Sequence, residues 1–220
     1  MERKFNFATG EFYHLYSRGV DKRLIFDDDK DRERFLKLLF VCNHSQPVVF
    51  RDIIKNTSIK DIFDFPADKS LVDIGAYCLM PNHFHILLRE KVEGGISFFM
   101  KKLLTAYSKY YNTKNKRTGA LFEGNFKASH LDDDNYLKYI YAYIHLNPVK
   151  LIYPKWRENK DFDLEKVTNF LNNYAYSSYN DYVGGGTRSA VILNQEEFPS
   201  YFDNFGDFSD MINFWLTYQE

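Results

Sequence analysis

Two apolar runs, Val72–Met80 (VDIGAYCLM) and His83–Glu90 (HFHILLRE), are separated only by Pro81 and Asn82. Runs of this length joined by a proline-asparagine turn read as adjacent antiparallel strands, and their apolar content places them in the middle of a sheet. Other segments supply what such a hairpin needs to pack against. Phe12–Arg18 (FYHLYSR) is aromatic, ends at Gly19 and reads as a first strand. Asp27 to Asp29 offer caps for a helix through about Cys42, with Phe35, Leu38, Leu39 and Cys42 at helical spacing. Ile96–Asn112 repeats that periodicity through Phe98, Phe99, Leu103 and Leu104, and its exposed side carries lysines. A basic loop, Lys114–Gly119, leads to a fourth strand over Asn125–Leu131. Asp132 to Asp134 then cap a helix to about Leu146, which Pro148 should stop.

Strand, helix, strand, strand, helix, strand, helix is the order of an α+β fold of ferredoxin-like type, an antiparallel sheet with helices packed on it. His44–Ser70, with Pro47, Pro66 and a short amphipathic piece around Ile53 and Ile54, reads as a surface insertion. We expect residues 1–155, with insertion 44–70, to form one domain, and 156–220 to be an acidic C-terminal extension packed on it. A chain of 220 residues has room for that core. No window has the apolar length of a membrane span and the start, MERKFNFATG, has no apolar signal region, so the expectation is a soluble, cytoplasmic protein. Cys42 and Cys78 are too few for a disulfide framework and read as buried small hydrophobes.

The net charge of −1 argues against a protein that coats nucleic acid, but the charge is unevenly distributed. From Trp156 onward four basic residues face eleven acidic ones, whereas Lys101–His130 carries seven basic residues against Glu123 alone. The cationic stretch suits a polyanion bound at one place, or a solvated helix face with a loop, and charge alone does not choose between them.

Side chains alternate along a strand, so His83 and His85 project to one face while Phe84, Ile86 and Leu88 enter the core on the other. Two imidazoles on one rigid strand are half of a divalent-metal site. Tyr143 and Asn147 lie four residues apart and share a helix face. A tyrosine hydroxyl can act as a nucleophile and an asparagine oxygen can ligate a hard ion, although a tyrosine packed on the sheet and an asparagine capping the helix would look the same. His145 lies on a different face and reads as a packing residue or a DNA contact. His14, His44 and His130 are single histidines of structural or exposed type. Tyr107, Tyr110 and Tyr111 could stack bases, but tyrosines at helical spacing are more often core.

In order along the chain, YCLMPNHFHILL, GALFEGNFKASHLDDDNYL and YIHLNPVK closely resemble the single-tyrosine HUH transposases, particularly the REP-associated tyrosine transposases; FYHLYSRGVDKRLIF and YAYSSYNDYVG add to the match. The resemblance implies that residues 1–155 are the catalytic domain, with the histidine pair on a central strand and the nucleophilic tyrosine on a helix. It implies Tyr143 as nucleophile, and His83, His85 and Asn147 as ligands of one magnesium or manganese ion. The activity it implies is cutting and rejoining of single-stranded DNA at hairpins or palindromic repeats through a 5′-phosphotyrosine intermediate, in a nucleoid-associated protein, as monomer or homodimer. Arg18, Lys114, Lys116, Arg117 and Lys127 are candidate phosphate contacts. Asn125 stands where the family usually has Arg or another large residue. Leu146, three after Tyr143, replaces the lysine usual in replication initiators, and relaxases usually place the tyrosine ahead of the histidine strand. A catalytically inactive or domesticated sequence-specific DNA-binding protein is the alternative of another class; the intact set His83, His85, Tyr143 and Asn147 argues against it.

Overall fold

In the computed structural model, which describes residues 5–46, 61–66, 69–159 and 161–218, four strands form one antiparallel sheet. They are β1 (Phe12–Arg18), β2 (Val72–Met80), β3 (His83–Glu90) and β4 (Lys127–His130), in the spatial order β2-β3-β1-β4. Three helices alternate with them: α1 (Asp29–Cys42), α2 (Gly95–Lys114) and α3 (Asp134–Leu146). The C-terminal part adds α4 (Leu164–Asn173), α5 (Tyr179–Tyr182) and α6 (Phe205–Thr217). Order and connection are those of the expected ferredoxin-like α+β fold.

The helix starts follow from local chemistry. Asp28 accepts the Asp31 amide at 3.0 Å ahead of α1, and Asp133 accepts the Tyr136 amide at 2.8 Å ahead of α3, each relieving an amide that has no partner within its helix. Pro148 does end α3, but the chain continues as a 3₁₀ turn over Asn147–Leu151. Proline is accepted there because the first turn of a helix asks no amide of it.

Alternation along β3 divides the core. Phe84, Ile86 and Leu88 are buried with Phe35 and Leu39 of α1 and Phe99, Leu103 and Tyr107 of α2. Leu87, on the other face, is buried with Ala76 and Cys78 of β2, Ile140 and Ile144 of α3, and Val167, Phe208 and Ile212 of the C-terminal helices. β2 changes phase between Ile74 and Ala76, where the pairing with β3 slips by a bulge at Gly75.

Two expectations are corrected. β2 is not in the middle of the sheet but at its edge; it reads as central because all nine of its residues are buried. Its free side is covered by chain from the C-terminal part, with the Leu79 amide donating to Tyr176 O at 2.9 Å and the Ser178 amide to Tyr77 O at 3.0 Å, which removes an exposed edge. The fourth strand is shorter than expected, with four paired residues. The amphipathic piece around Ile53 and Ile54 lies outside the described residues. Among those described, Ile62 of the 44–70 segment is buried in the core, and no helix is long and apolar enough to cross a membrane.

Candidate active site

β1 and β3 are the central strands, and their register pairs Tyr16 with His85 and His14 with Leu87. His14 and His85 are therefore diagonal neighbours on one face, near enough for their rings to meet. They do: His14 Nε2 lies 2.9 Å from His85 Nδ1, one ring donating and the other accepting. His83 projects to the same face with its ring centroid 5.0 Å from that of His85, and its Nδ1–H donates to the Asn82 amide oxygen at 2.7 Å.

α3 packs over this face and delivers Tyr143. The tyrosine ring is 5.3 Å from His85 and 5.5 Å from His14, each edge to face. One turn on, buried Asn147 donates from Nδ2 to Tyr143 O at 2.7 Å and accepts Lys150 Nζ on Oδ1 at 3.1 Å. Lys150 lies 5.7 Å from the Tyr143 ring centroid, and the Arg157 guanidinium 4.9 Å from it.

Burial dominates the electrostatics. It lowers His14 and His83 to about 4, with Lys150 and Arg18 adding to the effect at His83. His85 is driven well below the ordinary histidine value, first by burial and then by neighbouring His14 and His83. All three rings are thus neutral at pH 7, the form in which imidazole can ligate or accept a proton. Burial raises Tyr143 above the usual phenol value, and Arg157 opposes it. Lys150 is lowered by burial and then by Arg157.

Among the described residues no group of three or more His, Cys, Asp and Glu side chains is placed to hold a metal. The residues expected to ligate are two neutral imidazoles and the Asn147 amide oxygen, nitrogen and oxygen groups of a chemistry that suits a divalent ion, and here the amide oxygen is engaged by Lys150 Nζ. Neighbours hold Nδ1 of both His83 and His85, the orienting arrangement typical of ligating histidines, and leave Nε2 as the remaining ring nitrogen.

The candidate phosphate contacts are dispersed. Arg18 is paired with Glu123. Lys114 bonds Asp28 at 2.9 Å and the fully buried Asp31 at 2.6 Å, bracing α2 on α1. Arg117 bonds Asn112 and Ala120 O, while Lys116 and Lys127 are exposed. Tyr107 and Tyr111 are core residues. His145 is packing: fully buried, it donates from Nδ1 to Tyr141 O at 2.8 Å and accepts the Ser178 hydroxyl on Nε2 at 2.7 Å. The reading of residues along the chain missed His14, Lys150 and Arg157. FYHLYSR did put His14 and Tyr16 on one strand face, but only the β1–β3 register shows which face.

Over residues 33–147, just over half the chain, the sequence matches the IS200-like transposase family. The chain belongs to that family. The matched span holds both histidines of the pair, Tyr143 and Asn147, and it ends before Lys150 and Arg157. Among solved structures fourteen chains match this IS200-like transposase. One is a REP-associated tyrosine transposase bound to a REP hairpin, with a TM-score of 0.50 and 13% identity over 84% of this chain and 86% of that one, a likeness of fold. No curated protein matches.

Proposed function

We propose that this transposase cuts and rejoins single-stranded DNA at hairpin-containing sites, with Tyr143 as the nucleophile. The observation that carries the reading is the convergence of residues far apart in sequence: Tyr143 edge-on to His85 at 5.3 Å, with His83 and His14 each 5.0 Å from that histidine. The hairpin bound by the structural neighbour supports the choice of substrate. In the step proposed, the Tyr143 oxygen bonds to phosphorus as the bond from phosphorus to the 3′ oxygen breaks. The phenol loses its proton, the 3′ oxygen gains one, and the 5′ phosphate stays on the enzyme. Attack by another 3′ hydroxyl reverses the step and joins strands, because the phosphotyrosine keeps the phosphodiester's energy.

His83, His85 and Asn147 are the residues that would hold a magnesium or manganese ion, which when bound would withdraw charge from the scissile phosphate. Asn147, tied to the Tyr143 carbonyl, fixes the helix end that presents the nucleophile. Arg157 favours the phenolate electrostatically, and Lys150 adds a second positive charge at the place where phosphate charge must be neutralised.

The test is a denaturing gel with an end-labelled hairpin oligonucleotide and magnesium or manganese. The unmutated protein should form a covalent adduct. Tyr143→Phe should abolish it while leaving hairpin binding intact, and His83→Ala should abolish it as well. An adduct that survives Tyr143→Phe would overturn the assignment, and no adduct on any hairpin would favour an inactive DNA-binding protein.

A further inference from the structure

Beside Tyr143 lies a cavity of about 210 Å³ whose lining includes none of the histidines. Tyr143 and Tyr139 of α3 form one wall, and Trp156 and Arg157 another. The remaining wall is Trp215 of α6, with Tyr218 just beyond the helix end. Trp215 stands edge to face on Tyr139 at 4.7 Å and contacts Tyr218 at 5.5 Å, and Tyr218 is 43% exposed. The Arg157 guanidinium lies over both the Tyr143 ring, at 4.9 Å, and the Trp156 ring, at 5.2 Å. The C-terminal part, otherwise strongly acidic, thus brings a cation and two tryptophans to the candidate nucleophile.

The geometry points to a binding pocket for one unpaired nucleobase, next to the phosphate that Tyr143 attacks. The inference rests on the strand-transfer reading and extends it to a substrate position. Aromatic walls offer stacking surfaces that any base can use, and a guanidinium complements base carbonyls and the flanking phosphate. The space suits one flat heteroaromatic ring system and is too small for a base pair, so occupancy requires an unpaired strand. Because the Tyr143 ring is itself a wall, a base seated there holds the adjoining phosphate against the tyrosine hydroxyl, and this positioning is what a transfer step gains from remote binding. A nonspecific apolar ligand would not account for Arg157 lying over the rings.

Both tryptophans of the chain line the pocket, so their fluorescence reports on it without any catalytic turnover. The probes are a single-stranded oligonucleotide of about eight nucleotides and the same backbone made fully abasic, in metal-free buffer. The base-bearing strand should quench the emission and the abasic strand should not. By anisotropy of a labelled strand, Trp215→Ala and Tyr218→Ala should each weaken binding by about five- to hundred-fold, the span of one stacked base, and Trp215→Phe should restore most of it. Tyr218 lies at the rim, so its variant keeps the test valid if Trp215→Ala unfolds. Equal quenching by the abasic strand, or binding by both alanine variants within about twofold of the parent, would overturn the pocket. The hairpin adduct assay run alongside separates the two readings. Quenching by bases with no adduct supports the pocket and removes strand transfer; an adduct whose yield ignores abasic substitution at every position flanking the cut keeps strand transfer and removes the pocket.

Discussion

At the scale of single residues, burial sets the site's chemistry and Arg157 adjusts it. Tyr143 is held above the ordinary phenol value by burial, and the Arg157 charge works against that rise. Replacing Arg157 by Gln removes the opposing charge, so the Tyr143 pKa rises further. The expected outcome is an adduct-formation rate whose alkaline rise moves to higher pH, measured as initial rates on a hairpin across pH 7 to about 10, where an unperturbed phenol titrates. An unchanged profile would mean that another group sets phenol ionisation. The buried histidines yield a second expectation. His14 and His83 are lowered to about 4 and His145 to about 3 in the folded chain, so between these values and the ordinary value of 6.5 the unfolded chain binds more protons. Their contribution to stability is therefore fully present above about pH 6.5 and is lost as pH falls through about 4 and then about 3. Thermal melting at pH 7.5, 6 and 5 should show a steady fall, and a flat Tm over that range would contradict it.

At the scale of elements, β2 shows how a single glycine links the sheet to the C-terminal part. At the bulge, a β-carbon on Gly75 would come within 2.7 Å of the Phe198 ring, and the Tyr182 hydroxyl donates to Gly75 O at 2.6 Å. Gly75→Val must push Phe198 out of a fully packed seat. We expect destabilisation of about 1–3 kcal/mol by urea unfolding, the usual cost of overpacking a core. A change near zero would show that the ring can swing aside freely. The hairpin itself was legible locally, since Val72–Met80 and His83–Glu90 are bounded as read, and the caps, Asp28 and Asp133, fall within the acidic triplets 27–29 and 132–134 read as caps. β2's position at the sheet edge was not, because a strand buried on both faces has the same apolar pattern whether its last neighbour is another strand or a loop.

At the scale of the whole molecule, the C-terminal part completes the layer that α3 begins. Val167, Phe208, Ile212 and Leu216 are buried with Ile140 and Ile144, and residues 176–178 bond the free side of β2. A chain ending at residue 155 would expose that apolar face and an unpaired strand edge. It should aggregate or unfold with a broadened, low-temperature transition rather than yield a small active transposase; a cooperative melt within a few degrees of the full chain would refute this. The basic Lys101–His130 stretch also looks different once folded, because Lys114 is held by Asp28 and Asp31.

Sequence alone determined what depends on short-range periodicity. Alternation put His83 and His85 on one strand face, helical spacing put Tyr143 and Asn147 on one helix face, and the order of elements named the α+β fold. Tertiary structure alone decided what depends on contacts between distant segments. The β1–β3 register brought His14 onto His85 across 71 positions. The turn after α3 brought Lys150 to Asn147 and Tyr143, and the packing of α6 set Trp215 beside Tyr139. A local pattern fixes the direction in which a side chain leaves its own strand or helix, and only the docking of that element against another fixes what the side chain meets there.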